Sequence, residues 1–121
     1  MQTIERDELK QHLDESQDFL FLNVLSEEKY EDEHIPGSQN VPFDDDDEDF
    51  ARKVEPLVAT KDDFIVVYCA STDCPASSNA AKALENAGFT NVRAYEGGIH
   101  DWKDASYKLE GEKVQSKTRA R

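Results

Sequence analysis

Two cysteines, Cys69 and Cys74, are the residues of this chain best suited to covalent chemistry, and Ala70-Ser71-Thr72-Asp73 separates them. Cys69 closes an apolar run, Phe64-Ile65-Val66-Val67-Tyr68, and a helical pattern begins soon after Pro75. A thiol between a strand end and a helix start lies near unpaired N–H groups and the positive end of the helix dipole, and both stabilise a thiolate. Successive backbone N–H groups curling round the sulfur can also hold the anion produced when it attacks a sulfur electrophile. Ala70, Ser71 and Thr72 are small enough for close backbone approach, and the Ser71 and Thr72 hydroxyls are further donors or simply solvated loop groups. The segment Ala70, Ser71, Thr72, Asp73, Cys74 and Pro75 is therefore the candidate substrate-binding loop. On these residues alone, Cys69 is either a nucleophile or a small buried hydrophobe ending a core strand. Cys74 is either a second working thiol or a small residue at the helix start, beside a proline tolerated there.

Other chemistries fit less well. A structural zinc site needs four ligands, usually with a second close-spaced pair, and this chain has one pair. His34 and His100 stand singly and read as structural, so no metal is expected. The run Asp44-Asp45-Asp46-Asp47-Glu48-Asp49 lacks the glycine that a calcium loop needs at its sixth place and reads as a solvated helix start, or more weakly as a docking surface for a basic partner. With 27 acidic against 14 basic residues and a net charge of −13, nucleic acid and anionic membranes are unsuitable partners. No run approaches a membrane span and no signal-type segment opens the sequence, so a cytoplasmic location is expected. Two cysteines this close, without a secretion signal, point to a reduced or redox-active pair rather than a structural staple.

The elements that would position the cysteines alternate in type. Thr3 is placed to cap a first helix carrying Leu9 and Leu13. Phe19–Val24 reads as a buried strand, and Ser26 caps a short helix carrying Tyr30. His34-Ile35-Pro36-Gly37 punctuates the chain before a brief strand at Gln39-Asn40-Val41. Phe50, Val54, Leu57 and Val58 keep helical spacing, but Pro56 should end that helix near Glu55. Ala80, Ala83, Leu84 and Ala87 mark the helix after the loop, with Gly88 to terminate it. A last strand, Val92–Tyr95, runs through Gly97-Gly98 into a helical segment with Ile99 and Trp102. Alternating strands and helices imply an α/β fold with a parallel sheet covered on both faces. One domain, 1–111, is expected, followed by a basic tail, 112–121, expected to fray.

Three stretches, FLNVLSEEKYEDEHIPGSQNVPF, IVVYC with its loop and small-residue helix, and NVRAYEGGIHDW, together resemble a rhodanese-like sulfurtransferase domain. The resemblance implies a rhodanese-like α/β fold with a five-stranded parallel sheet flanked by helices on both faces. It matches the family's nucleophilic cysteine to Cys69, which would carry sulfane sulfur as a persulfide and needs no cofactor. The implied partners are a small sulfur donor (persulfide, polysulfide or thiosulfate) and a thiol or protein acceptor, with the chain a monomer. A catalytically weak interaction or thiol redox-sensing module on the same fold is the alternative.

The sequence also departs from the family pattern C-x-x-G-x-R-S: the loop lacks both glycine and arginine and is about two residues longer. A related phosphatase pattern needs arginine where Pro75 stands, and phosphoryl groups need such a clamp, so phosphatase chemistry is not expected. The family's acidic and basic pair after the first long strand is replaced by Asn23 and Leu25. At C-x4-C spacing, Cys74 would serve as a resolving cysteine that attacks the persulfide or protects Cys69 from overoxidation. With no Lys or Arg between Cys69 and Ala81, thiosulfate, a dianion, is expected to be a poor donor; Arg93 and Lys103 are the first cations to examine otherwise.

Overall fold

The computed structural model describes residues 2–15 and 18–112. Its strands are β1 (Gln2–Thr3), β2 (Leu20–Asn23), β3 (Gln39–Asn40), β4 (Ile65–Tyr68) and β5 (Val92–Tyr95). The helices are α1 (Arg6–Asp14), α2 (Glu27–Asp32), α3 (Asp47–Val54), α4 (Ala76–Asn86) and α5 (Gly98–Asp104). All neighbouring strands pair in parallel, in the order β1-β5-β4-β2-β3. β4 is central and buried along its whole length, which explains an uninterrupted apolar run where a one-sided strand would alternate.

Alternation along β4 sends its side chains to two different layers. Ile65, Val67 and Cys69 pack with Phe50 and Val54 of α3 and with Ala80, Ala81 and Leu84 of α4. Val66 and Tyr68 face Leu9 of α1 and Ile99 and Trp102 of α5. Helices thus cover both faces of the five-stranded sheet, as the resemblance implied.

Local signals account for several helix ends. Ser26 caps α2, its hydroxyl accepting from the Lys29 N–H at 3.3 Å. The acidic run opens α3: Asp46 caps it by accepting from the Asp49 N–H at 3.1 Å, and Asp49 pairs with Arg52 and Lys53 one turn on. Pro56 ends the α-helix at Val54, leaving a 3-10 turn over Glu55–Leu57. Gly88, at φ +98°, stops α4 with its N–H on the Glu85 carbonyl.

The expectation for Thr3 needs correction. It lies in β1, paired with Ala94, while Glu5 holds the cap position of α1 without a side-chain bond. A two-residue edge strand, exposed on both residues, has no hydrophobic alternation to announce it; pairing with β5 alone defines it. Of the basic tail, residues 113–121 lie outside the described residues, and the Glu112 N–H donates to the Glu31 carbonyl at 2.7 Å.

Tyr68, the last residue of β4, ties the centre of the sheet to the His34–Gly37 turn. Its buried hydroxyl accepts from the Asn23 side-chain amide at 3.1 Å and from the Ile35 N–H at 2.9 Å. It lies 2.8 Å from the Ser38 hydroxyl, which donates to the Ile35 carbonyl at 2.7 Å, so the tyrosine proton goes to Ser38 Oγ. Every polar atom of this knot is satisfied in a dry place, where an unpaired one is expensive. Burial pushes the Tyr68 phenol up to about 12, although its hydrogen bonds act the other way.

Tyr68→Phe should therefore cost about 2–3 kcal/mol, because it leaves the Ile35 N–H and the Asn23 amide without their acceptor. The denaturant midpoint measures the loss. The folded-state value lies above the ordinary 10.0 of a tyrosine, so the folded form holds this proton longer than the unfolded chain. The contribution is full below pH 10 and disappears as pH rises to about 12, so the wild-type advantage over Tyr68→Phe should shrink across that window.

Candidate functional site

Cys69 follows the carboxyl end of β4 directly, and its side chain is fully buried in the layer between the sheet and α4. The loop after it turns back on itself. The Cys74 N–H donates to the Ser71 carbonyl at 3.0 Å, and the Asp73 N–H donates to the Ser71 hydroxyl at 3.3 Å. That turn brings Cys74 within 6.5 Å of Cys69, Cα to Cα, and the two sulfur atoms are joined as a disulfide. Cys69 Sγ also lies 3.3 Å from the Cys74 carbonyl oxygen, an acceptor for the thiol in the reduced chain. Cys74 is partly exposed, whereas Ala70, Thr72, Asp73 and Pro75 are exposed around it.

Among the described residues, the N–H groups of Ala70, Ser71 and Thr72 have no protein acceptor, and neither do those of Ala76, Ser77 and Ser78 in the first turn of α4. Unpaired donors in the loop that follows the sulfur, and in the helix turn beyond it, suit a thiolate or a persulfide anion. Ser77 adds a further group: its hydroxyl is buried and has no partner among the described residues. It was not among the candidate site residues, although Ser77, Ala80, Ala81 and Leu84 share helical spacing and one buried face.

The loop is fixed by α5. The Ile99 N–H donates to the Cys69 carbonyl at 3.1 Å and the His100 N–H to the Ala70 carbonyl at 2.8 Å. This close approach needs Gly98. Its φ is +62°, and a Cβ there would collide with the Cys69 carbonyl oxygen and sit 2.9 Å from the Ala70 carbonyl carbon. α5 itself is anchored by Asp101, which accepts from the Tyr95 hydroxyl at 2.6 Å and pairs with Arg6 of α1 at 2.9 Å. Burial, then the neighbouring carboxylate, pushes the Tyr95 phenol strongly upward, keeping it a donor.

The replaced acidic and basic pair has a consistent physical form. Asn23 is fully buried; its side-chain oxygen accepts from the Leu25 N–H at 2.9 Å while its amide reaches Tyr68. With leucine in the basic place, a buried carboxylate would have no counter-charge, and the neutral amide avoids that cost. Leu25 instead forms an apolar wall of a cleft of about 380 Å³ beside the loop. Lys29, Asp32 and Glu33 line one side, and Ile99, His100 and Lys103 the other, with Ala70 and Ser71 at the loop edge.

Lys103 thus reaches the loop's surroundings, but it pairs with Glu33 at 3.2 Å. Arg93 does not: it pairs with Glu8 at 3.2 Å and lies over Phe64, towards the amino end of the sheet. The two histidines part company. The Nδ1 of His34 donates to the Tyr30 carbonyl at 2.7 Å and its ring stacks on Tyr30, a structural role. His100 supports the loop through its backbone, while its ring is exposed at the cleft. Among the described residues no cluster of three or more potential metal ligands occurs, and no helix is long and apolar enough to cross a membrane.

A rhodanese-like domain model matches residues 5–105. The chain belongs to the rhodanese-like domain family. Curated relatives include the adenylyltransferase and sulfurtransferase UBA4 of Candida albicans, 33% identical over 87 residues. A tRNA uridine(34) hydroxylase of Escherichia coli is 32% identical over 85 residues. Each alignment covers 70% of this chain but only 19% and 24% of the respective relative. The chain therefore spans about a quarter or less of these longer proteins. Among solved structures, the rhodanese-like domain of an Anabaena sp. protein superposes with a TM-score of 0.79 at 27% identity, covering 96% of this chain and 83% of that one. A thiosulfate sulfurtransferase from Pseudomonas aeruginosa gives a TM-score of 0.73 at 24% identity, covering 92% of this chain and 20% of that one, and shares the fold.

The rhodanese-like loop depends on the missing side chain at position 98. Gly98→Ala should lower stability by about 2 kcal/mol or more, through strain at positive φ and displacement of the Cys69–Ala70 backbone. Gly98→Asn should lose a similar amount, because asparagine tolerates the φ but still carries the Cβ. Denaturant midpoints of both variants check this, and near-full stability of the asparagine variant would show that φ alone is at stake.

Proposed function

We propose that this rhodanese-like domain is a sulfurtransferase or sulfur carrier with Cys69 as the nucleophile. The observation that carries the reading is the setting of Cys69 at the carboxyl end of β4, at the start of a loop whose first N–H groups are unpaired and which leads into the unpaired first turn of α4. The thiolate attacks the outer, sulfane sulfur of a donor, the donor's sulfur–sulfur bond breaks, and the donor leaves as its reduced anion. The Ala70–Thr72 amides then hold the Cys69 persulfide anion until a thiol or protein acceptor takes the sulfur. The sulfurtransferase named among the relatives supports this chemistry for the fold. The alternative, a thiol redox module, draws on the disulfide and on the complete burial of Cys69. No step requires a cofactor or metal, and the working location is taken to be the cytoplasm.

Charge selects the donor. Among the described residues, the cationic side chains lining the cleft are Lys29 and Lys103, with His100 beside them, and Asp32 and Glu33 face the same space. Such a mixed lining gives little net attraction for a dianion, and the chain as a whole carries −13. A persulfide or polysulfide donor, or direct delivery by a protein, suits it better than thiosulfate.

Two measurements test the reading. Steady-state assays should show a high apparent KM for thiosulfate that falls as salt screens the repulsion, with faster loading from glutathione persulfide. Efficient thiosulfate use that weakens with salt would contradict the charge argument. Cys69→Ala should abolish sulfur loading, seen by mass spectrometry, while the chain stays folded; alanine is preferred because a buried serine hydroxyl would itself need a partner. If wild-type Cys69 takes up no sulfur from either donor, the redox-module reading replaces this one.

A further inference from the structure

We propose that the chain discharges its own persulfide: Cys74 attacks Cys69, releases hydrosulfide, and leaves the disulfide that a dithiol reductant then resets. This rests on Cys69 as the sulfur-loading nucleophile and adds an activity that needs no sulfur acceptor. The carrying observation is that the loop turn at Ser71 folds Cys74 back until its sulfur meets Sγ of Cys69 itself. Attack is therefore within reach of the inner sulfur of the persulfide. An exposed C-x4-C segment without that turn would have to find this geometry from many loop conformations.

The step balances. The Cys74 thiolate forms a bond to Cys69 Sγ, the bond from Sγ to the sulfane sulfur breaks, and hydrosulfide departs with that electron pair. The sulfane sulfur is reduced by two electrons, and the two cysteines are oxidised to the disulfide. Attack on the outer sulfur would instead move the persulfide to Cys74 and release nothing.

Burial then sets the direction of reset. Cys69 has no solvent exposure, whereas Cys74 is partly exposed, so an incoming thiolate must attack Cys74. The mixed disulfide forms on Cys74, and Cys69 leaves as a thiolate at the start of a loop whose Ala70, Ser71 and Thr72 N–H groups are unpaired among the described residues, ready for the next donor. A dithiol reductant is favoured over a monothiol because its second sulfur frees Cys74 before Cys69 can return.

The test uses the full chain, reduced, freed of reductant and given one equivalent of glutathione persulfide. The intact chain should release hydrosulfide about tenfold or more faster than Cys74→Ser and finish at the mass of the disulfide form. Cys74→Ser should keep one sulfur on Cys69. Adding a dithiol such as dithiothreitol to the oxidised intact chain should restore loading, with the transient mixed disulfide mapped to Cys74. Equal release rates in the two chains, or a persulfide mapped to Cys74, overturn the discharge step while leaving Cys69 as the loading nucleophile. If Cys74→Ser takes up no sulfur at all, the Cys69 reading fails and this proposal fails with it.

Discussion

Two backbone hydrogen bonds, from Ile99 N–H to the Cys69 carbonyl and from His100 N–H to the Ala70 carbonyl, hold the start of α5 against the end of β4. They use the carbonyls that immediately follow the central strand, so they fix the point from which the cysteine loop departs. Gly98 makes room for them, and Tyr95, Asp101 and Arg6 fix α5 so that the bonds can form. Beyond that point the N–H groups of Ala70, Ser71 and Thr72 have no protein acceptor among the described residues. A site that must present donors to an anion is built by satisfying the acceptors elsewhere.

A second constraint is electrostatic neutrality below the site. Tyr68, Asn23, Ser38 and the Ile35 peptide form a closed set of hydrogen bonds with no formal charge. It fixes the His34–Gly37 turn to the sheet without the desolvation cost of ions, and it frees Leu25 to line the cleft. The charges on the cleft walls, of Lys29, Asp32, Glu33 and Lys103, largely offset one another.

Most of the architecture was legible in the chain because local rules governed it. The continuous apolar run at Ile65–Tyr68 gave the central strand, Ser26 and Pro56 marked helix ends, and the Gly88 stop fell where the helical spacing ended. Thr3 misled because a capping residue and a two-residue edge strand look alike without knowledge of β5. Lys103 and Arg93 were indistinguishable as cations; chain distance did not reveal that one lines the cleft and the other pairs with Glu8 at the far end.

By itself, then, the sequence determined the order of strands and helices after β1, the place of Cys69 at a strand end, and the small residues that follow it. These depend on period, capping and backbone freedom, which act over a few residues. Only the tertiary structure decided that Cys69 is buried and Cys74 partly exposed, that Ser77 turns its hydroxyl inward, and that α5 grips the loop's first carbonyls. Each of those facts arises from contacts between segments far apart in the chain, and no local spacing encodes which of two neighbouring thiols the fold will cover.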